Sequence, residues 1–394
     1  MPTTHSVDPI VILSAARTPM GAFQGVFASL AAHDLGGAAI HAAVARAGVD
    51  PARIDQVVFG NCLMAGQGQA PARQAGFKGG LGQGTGAVTL SKMCGSGLFA
   101  TMLAHDMLLA GSQDLVVAGG MESMTNAPHL LPKGRSGIRI GHGQVLDHMM
   151  LDGLEDAYEP GRSMGSFGED CAAKYGFTRA AQDAFATASV QRAQAAITSG
   201  AFAAEIAPVL AKGVEVSTDE APGKIRLDKI PTLKPAFQTD GTITAASSSS
   251  ISDGAAALVL ARASTAAQLG LQPLARIVGH ATFAQAPAWF STAPLGAVQK
   301  LLDKIGWAVT EVDLWEVNEA FAVVPMALMA ELALPHSRVN VHGGACALGH
   351  PIGASGARIL VTLLHALRAH GLRRGVATLC IGGGEATALA VELL

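Results

Sequence analysis

A chain of 394 residues with 49% hydrophobic side chains, 47 glycines and 14% charged residues has apolar matter for two or more packed domains. It is too apolar for intrinsic disorder, and a formal net charge of −3 offers no basic surface for nucleic acid or an anionic membrane. Cysteines at 62, 94, 171, 346 and 380 form no Cys-x-x-Cys pair, which argues against structural zinc or a disulfide framework and suits a reducing compartment.

The N-terminal Met-Pro-Thr-Thr-His-Ser-Val-Asp8 shows neither a cationic start nor an apolar leader core. The closing Val-Glu-Leu-Leu394 carries no peroxisomal tripeptide, and the longest apolar stretches, such as 320–330, fall short of a spanning helix. A soluble, cytoplasmic protein is expected. Apolar runs predict a strand over 10–16 and another within Ile54-Asp-Gln-Val-Val-Phe-Gly-Asn61. A third strand, 87–90, runs into Ser91-Lys-Met-Cys-Gly-Ser-Gly-Leu98, after which Leu98, Met102, Leu103, Met107 and Leu108 recur at helical spacing. This turn puts Cys94 at or beside a helix N-terminus, where free N–H groups and the helix dipole favour a thiolate. The bland alternative is an inert buried cysteine, but the adjoining glycines suggest backbone that approaches a ligand closely. Strand 115–118 then enters Gly119-Gly-Met-Glu122.

From about Gly120 to Ser250 the pattern changes. Pro, Gly, Arg and Lys cluster in 126–143, a polar helix is predicted over 178–199, and 211–235 is charged and loop-like. The segment reads as an inserted lid or substrate-handling region. Ser247-Ser-Ser-Ser250 precedes Asp253-Gly-Ala-Ala-Ala257, which reads as a helix start, so a structured loop is expected there rather than a flexible linker.

Beyond it the first pattern returns. Val312-Asp-Leu-Trp-Glu-Val-Asn-Glu319 resembles 54–61, Ala354-Ser-Gly356 opens a helix over 357–369, and strand 376–381 leads into Gly382-Gly-Gly-Glu385. The chain thus reads as a duplicated βα unit of the α/β class, with a parallel or mixed sheet covered on both faces and reactive loops at equivalent strand ends.

Three motifs of the second half carry chemistry. Asn318-Glu-Ala-Phe321 stands at a strand end, His350 lies between Gly349 and Pro351 in a glycine-rich turn, and Cys380 precedes a triple glycine. A lone histidine is more often structural, and triple glycines also serve plain turns. Taken together, a thiolate attacks a carbonyl, a histidine takes its proton, backbone amides hold the oxyanion, and a second cysteine moves a proton at carbon. Acyl transfer through a cysteine thioester fits, with the acyl carrier left open.

The segments Val11-Ile-Leu-Ser-Ala-Ala-Arg-Thr-Pro-Met-Gly21, KMCGSG (92–97), NEAF (318–321), GHPIGASGAR (349–358) and CIGGG (380–384) resemble the thiolase family over essentially the whole chain. Trp315-Glu-Val-Asn-Glu-Ala-Phe321 and Thr242-Ile-Thr-Ala-Ala-Ser247 resemble its acetyl-CoA acetyltransferase branch. The resemblance implies duplicated halves, 1–120 with 251–272 and 273–394, layered α-β-α-β-α, and an inserted loop domain at 121–250 that holds coenzyme A. It implies that Cys94 becomes acetylated by acetyl-CoA, that His350 draws off the thiol proton, and that Cys380 deprotonates a second acetyl-CoA to give acetoacetyl-CoA. One oxyanion hole would use His350 and a water held by Asn318, the other the backbone amides of Cys94 and Gly382. Ser249 would touch the pantetheine arm of coenzyme A, with Leu233, Phe237, Ala320 and Phe321 as apolar contacts and Met164 nearby. No metal or redox cofactor is implied, coenzyme A enters as part of the substrate, and a homodimer or homotetramer is usual. Ser163, Lys229 and Glu385 depart from residues common in the family, which bears on coenzyme A contacts and chain length; Glu385 has no evident role in the sequence.

Three rival readings remain at this level. A decarboxylating ketoacyl synthase typically uses a second histidine where Cys380 stands here. A degradative thiolase for longer 3-ketoacyl-CoA chains differs in pocket depth. A non-catalytic acyl-CoA-binding homologue would not need the complete set of Cys94, His350, Cys380 and Asn318.

Overall fold

The computed structural model describes residues 8–394, so the reading of residues 1–7 lies outside the described residues. In chain order the first half contains β1 (Ile10–Arg17), α1 (Ala32–Ala47), β2 (Gln56–Gly60), α2 (Pro71–Lys78), β3 (Gly86–Leu90), α3 (Ser96–Leu109) and β4 (Leu115–Ser123). The middle segment contributes α4 (Met164–Tyr175) and α5 (Arg179–Ser199). The rest holds β5 (Ser252–Arg262), β6 (Ala275–Ala284), α6 (Ala293–Ile305), β7 (Leu314–Val317), α7 (Val323–Leu332), α8 (Ile352–Ala369), β8 (Arg374–Ile381) and β9 (Glu385–Leu393).

These strands follow one another across the sheet as β7-β8-β9-β6-β1-β5-β4-β2-β3, and the short Gly21–Ala22 strand pairs with β5. Each half repeats one pattern. A parallel pair, β2 with β4 or β7 with β8, is followed by two antiparallel neighbours, β5 and β1 or β9 and β6. Within the sheet the two halves pair where Val11 meets Arg276 and Ile12 meets Ala275.

Between the two half-sheets lie α3 and α8. Leu98, Met102 and Leu108 of α3 and Leu360, Leu363 and Leu367 of α8 share one core with Val116 and Leu258 of the first half and Leu379 and Leu389 of the second. Most of α8 is buried, with Ser355, Arg358 and Thr362 enclosed among its apolar residues. The outer face of the first half is covered by α1 and α2, and that of the second by α6 and α7. The result is five layers, α-β-α-β-α.

Asp253-Gly-Ala-Ala-Ala257 does not begin a helix. It lies in β5, whose residues Ser252–Ala261 are all buried. Alanine's helix preference is a weak prior, and here β1 and β4 flank the segment while α1 and α8 cover its faces. The expected symmetry of reactive loops also fails in part, because Gly119 and Gly120 lie inside β4 whereas Gly382 follows the end of β8.

Close packing explains the difference. A Cβ on Gly120 would lie 2.1 Å from the carbonyl oxygen of Gly353, at the start of α8. Where α3 crosses α8, a Cβ on Gly97 would lie 2.7 Å from the Ala357 nitrogen, and one on Gly356 2.4 Å from the Leu98 nitrogen. These glycines let two helix starts and a strand meet at backbone distance. Gly120→Ala is therefore expected to cost about 3 kcal/mol, the upper range for overpacking, in the urea unfolding midpoint. A loss below about 0.5 kcal/mol, ordinary for a surface change, would show that α8 can retreat freely.

Candidate active site

The turn before α3 is held by its own polar groups. The Gly95 N–H donates to Lys92 O (3.0 Å) and the Ser96 N–H to Met93 O (3.0 Å). Ser96 Oγ donates to Met93 O (2.6 Å) and accepts from the Lys92 N–H (2.8 Å). These bonds hold Met93 at φ +47°, a conformation that costs a non-glycine residue energy. Cys94 follows directly, two residues ahead of the helix, with part of its surface open.

The backbone N–H groups of Gly382 and of Cys94 itself face the Cys94 sulfur and favour its ionised form. Despite them, burial pushes the thiol up to about 11, and the neighbouring Glu122 adds to the rise. At this sulfur burial outweighs the helix-start dipoles, which runs against the thiolate expected from the sequence. Cys380 is fully buried near the end of β8. Burial, then the nearby Cys94 sulfur, raises its thiol well above the ordinary range, so the two sulfurs are neighbours from opposite halves.

His350 is also buried, and its N–H donates to Ser250 O (3.0 Å). Its Nδ1 meets Ser355 Oγ, and that hydroxyl donates to Pro351 O (2.9 Å). With its one proton so used, the hydroxyl accepts from Nδ1–H, which leaves a lone pair on Nε2. Nε2 has no protein partner among the described residues. Burial, and then the Arg358 charge, lowers the imidazole to about 3, so it is neutral at physiological pH. Asn318 leaves the end of β7, its N–H bonded to Thr378 O (3.1 Å) two residues before Cys380. Its side-chain oxygen and nitrogen are buried and likewise without a protein partner among the described residues.

An apolar wall adjoins Cys380. Met164, Phe237, Ala320 and Phe321 pack in its cluster, with the Phe237 and Phe321 rings edge to face at 5.7 Å. A Cβ on Gly382 would lie 3.6 Å from Met164 Cε. Ser249 joins the wall through its N–H to Ala320 O (3.0 Å). The serine run is ordered, with Ser248 Oγ donating to Thr244 O (2.8 Å) and the Thr244 N–H to Ser247 Oγ (2.9 Å). Leu233 stands apart from this cluster, on a loop whose carbonyl Arg179 holds at 2.8 Å.

Three positions had no part in the site as read from the sequence. Glu122, fully buried, accepts from the N–H groups of Cys62 (2.9 Å), Leu63 (3.1 Å) and Gly353 (2.9 Å). Its only signal was its place after Gly119-Gly120, which suggested a loop. Ser355, quoted only as a helix opener, orients His350. Glu385 forms an ion pair with Lys92. Of the other departures, Ser163 directly precedes α4, and Lys229 is exposed in the turn Leu227–Thr232. Elsewhere, His105, Asp106 and His280 bring potential metal-ligand atoms within 4.8 Å of one another. There His105 Nδ1 (3.0 Å) and His280 Nε2 (2.9 Å) both bond Asp106 Oδ1, which satisfies the cluster without an ion.

Family models for the thiolase N-terminal domain and the thiolase C-terminal domain match residues 10–264 and 271–393. An acetyl-CoA acetyltransferase of Pseudomonas aeruginosa is 47% identical over 389 residues, covering 97% of this chain and 99% of that protein. Acetyl-CoA acetyltransferase 2 of Arabidopsis thaliana is 48% identical over 401 residues, covering 100% and 99%. Among solved structures, the Bacillus anthracis acetyl-CoA acetyltransferase superposes with a TM-score of 0.96 at 38% identity, covering 99% of this chain and 100% of that one. The Acat5 thiolase of Ascaris suum in complex with coenzyme A gives 0.93 at 41% identity, covering 98% and 100%.

A Cys94 thiol near 11 and a buried His350 imidazole near 3 predict how the site reacts. Alkylation of Cys94 by iodoacetamide, followed by peptide mass spectrometry, should speed up about tenfold per pH unit between 7 and 9, because the thiolate is the reacting form. A rate already level below pH 7 would mean a preformed thiolate–imidazolium pair.

Proposed function

The chain belongs to the thiolase family, and we propose that it condenses two acetyl-CoA molecules reversibly to acetoacetyl-CoA and coenzyme A through an acetyl-thioester on Cys94. The observation that carries this reading is the meeting of two cysteines from opposite halves, one of them facing two backbone N–H groups. A single nucleophilic cysteine suffices for acyl transfer. Forming a carbon–carbon bond needs a second acid–base group, and Cys380 is in place for it.

In the first half-reaction the Cys94 sulfur attacks the thioester carbon while its proton passes to His350 Nε2. The N–H groups of Cys94 and Gly382 take the developing oxyanion. Coenzyme A leaves as a thiol with the proton of Cys380, so acetyl-Cys94 stands beside a Cys380 thiolate and an imidazolium. In the second, Cys380 removes a methyl proton from acetyl-CoA. The enolate oxygen is held by the Nε2–H of His350 and by a water on Asn318. Its carbon attacks acetyl-Cys94, acetoacetyl-CoA forms, and Cys94 recovers its proton from His350. Every group ends in its starting state.

The wall of Met164, Phe237, Ala320 and Phe321, with Ser249 tied to it, suits the pantetheine arm of coenzyme A, with Leu233 as an outlying contact. No resident metal or redox cofactor enters this reading. We also assign the protein to the cytoplasm, to fatty-acid metabolism and to a homo-oligomer, dimer or tetramer. The half-exposed outer strand β3 and the fully open Ile140 support the oligomer.

Two substitutions test the reading. Cys94→Ser should end acetylation by acetyl-CoA, seen as a lost 42 Da adduct, which is about the mass of an acetyl group replacing a proton, while coenzyme A still binds. Cys380→Ser should still become acetylated, yet make acetoacetyl-CoA about 10²-fold more slowly or worse, because a serine hydroxyl is too weak an acid to replace the carbon base. Equal losses in both half-reactions would make Cys380 a mere neighbour of Cys94.

A further inference from the structure

Glu385 is the first residue after three glycines. Gly383 (φ +93°) and Gly384 (φ +88°) turn the chain so that Ile381 and Glu385 pair across the β8–β9 hairpin. This turn carries the Gly382 N–H that faces the Cys94 sulfur. Glycine leaves a backbone its greatest freedom, so the position of that N–H has to be fixed from outside the turn. On one side Gln285 donates its N–H to Gly384 O (2.8 Å). On the other, the Glu385 carboxylate takes the ammonium of Lys92, across 293 positions of sequence.

Lys92 is the first residue of the turn that holds Cys94, and its own N–H is bound by Ser96 Oγ. Its side chain is only 20% exposed, and its ammonium lies 5.3 Å from the Phe99 ring centre. The ion pair therefore connects, end to end, the turn that carries the nucleophile and the turn that carries its oxyanion donor. Beside it, a Cβ on Gly95 would strike the Ile381 side chain at 2.3 Å, so the two turns already touch and have little room to slide.

The pair also directs charge. An ammonium two residues from a thiol ordinarily favours the thiolate. Here Glu385 engages it; the charged side chain that acts on Cys94 is Glu122, which raises its thiol, and Cys94 in turn raises the thiols of Cys62 and Cys380.

We propose that the Lys92–Glu385 ion pair is a positioning contact that sets the Gly382 N–H against the Cys94 sulfur and keeps the Lys92 charge away from it. The proposal rests on Cys94 being the nucleophile of the condensation. Lys92→Met, Glu385→Met, the double variant and Lys92→Arg test it. Each single methionine variant should lower kcat for acetoacetyl-CoA synthesis about tenfold with KM little changed, the mark of an interaction used in the transition state. Unfolding midpoints should barely move, since a partly exposed pair adds little stability. The double variant should be no slower than the worse single one, because the two residues act as a unit. Lys92→Arg should retain most of the activity. Glu385→Met, which frees the ammonium, should also shift the alkylation profile of Cys94 to lower pH.

Single variants within about twofold of the parent kcat, losses that multiply in the double variant, or an unmoved alkylation profile in Glu385→Met would each overturn the proposal. If the parent chain makes no acetoacetyl-CoA, the functional reading fails instead, and the alkylation profile still decides the fate of the pair.

Discussion

Three backbone N–H groups converge on the buried carboxylate of Glu122, and the site's geometry depends on that convergence. Two come from Cys62 and Leu63, just after β2, and one from Gly353 in the first turn of α8. A carboxylate enclosed in this way stays in place because any departure would leave donors and acceptor unpaired inside the protein. Ser355, on the same turn of α8 as Gly353, bonds the ring of His350. The strand that carries Glu122 thus fixes the direction in which the base points. Gly120, two residues earlier, admits the start of α8 to backbone distance. A carboxylate that joins the halves and a glycine that lets them approach belong to one device.

Enclosure has a chemical cost. Raising the thiol from its ordinary 9.0 to about 11 adds about 3 kcal/mol to the cost of ionising it. The same enclosure strengthens each N–H dipole aimed at the reacting atoms, because little water competes for it. As attack proceeds, negative charge leaves the sulfur and gathers on the carbonyl oxygen, and donors that fail to ionise the resting thiol act on that oxygen instead. A sulfur held as a thiol is also a poorer target for oxidants and stray electrophiles than a standing thiolate.

The residues proposed to meet substrate were legible because of where they sit. Cys94, His350, Asn318 and Cys380 each lie at a strand end or a glycine-rich turn, and each has chemistry that a plain turn does not need. Their supports were not legible. Glu122 resembles any acidic residue beyond a glycine pair, and the pairing of Lys92 with Glu385 exists only once segments at opposite ends of the chain meet. The thiol was misjudged because a helix start can be read from spacing, whereas enclosure of the sulfur depends on the whole fold. β5 was misread for a related reason. A strand covered on both faces loses the alternation that marks half-buried strands, and its alanines then imitate a helix. The duplicated halves were visible in motif order, but whether a glycine pair lies within a strand or beyond its end was decided by what packs against it.

The middle layer, built from one helix of each half, bears on how the chain is made. The first half is complete in sequence by about Arg262, yet the inner face of its sheet is covered by α3 and by α8, and α8 does not end until Ala369. During synthesis that face must wait for more than a hundred further residues. Its closure is completed by contacts of long sequence separation from α8, the kind that slow folding and leave apolar surface open to aggregation in the meantime. Neither half is a self-sufficient folding unit, despite their common pattern. A truncation before α8 would leave the inner face of the first half-sheet partly uncovered rather than release a smaller working protein.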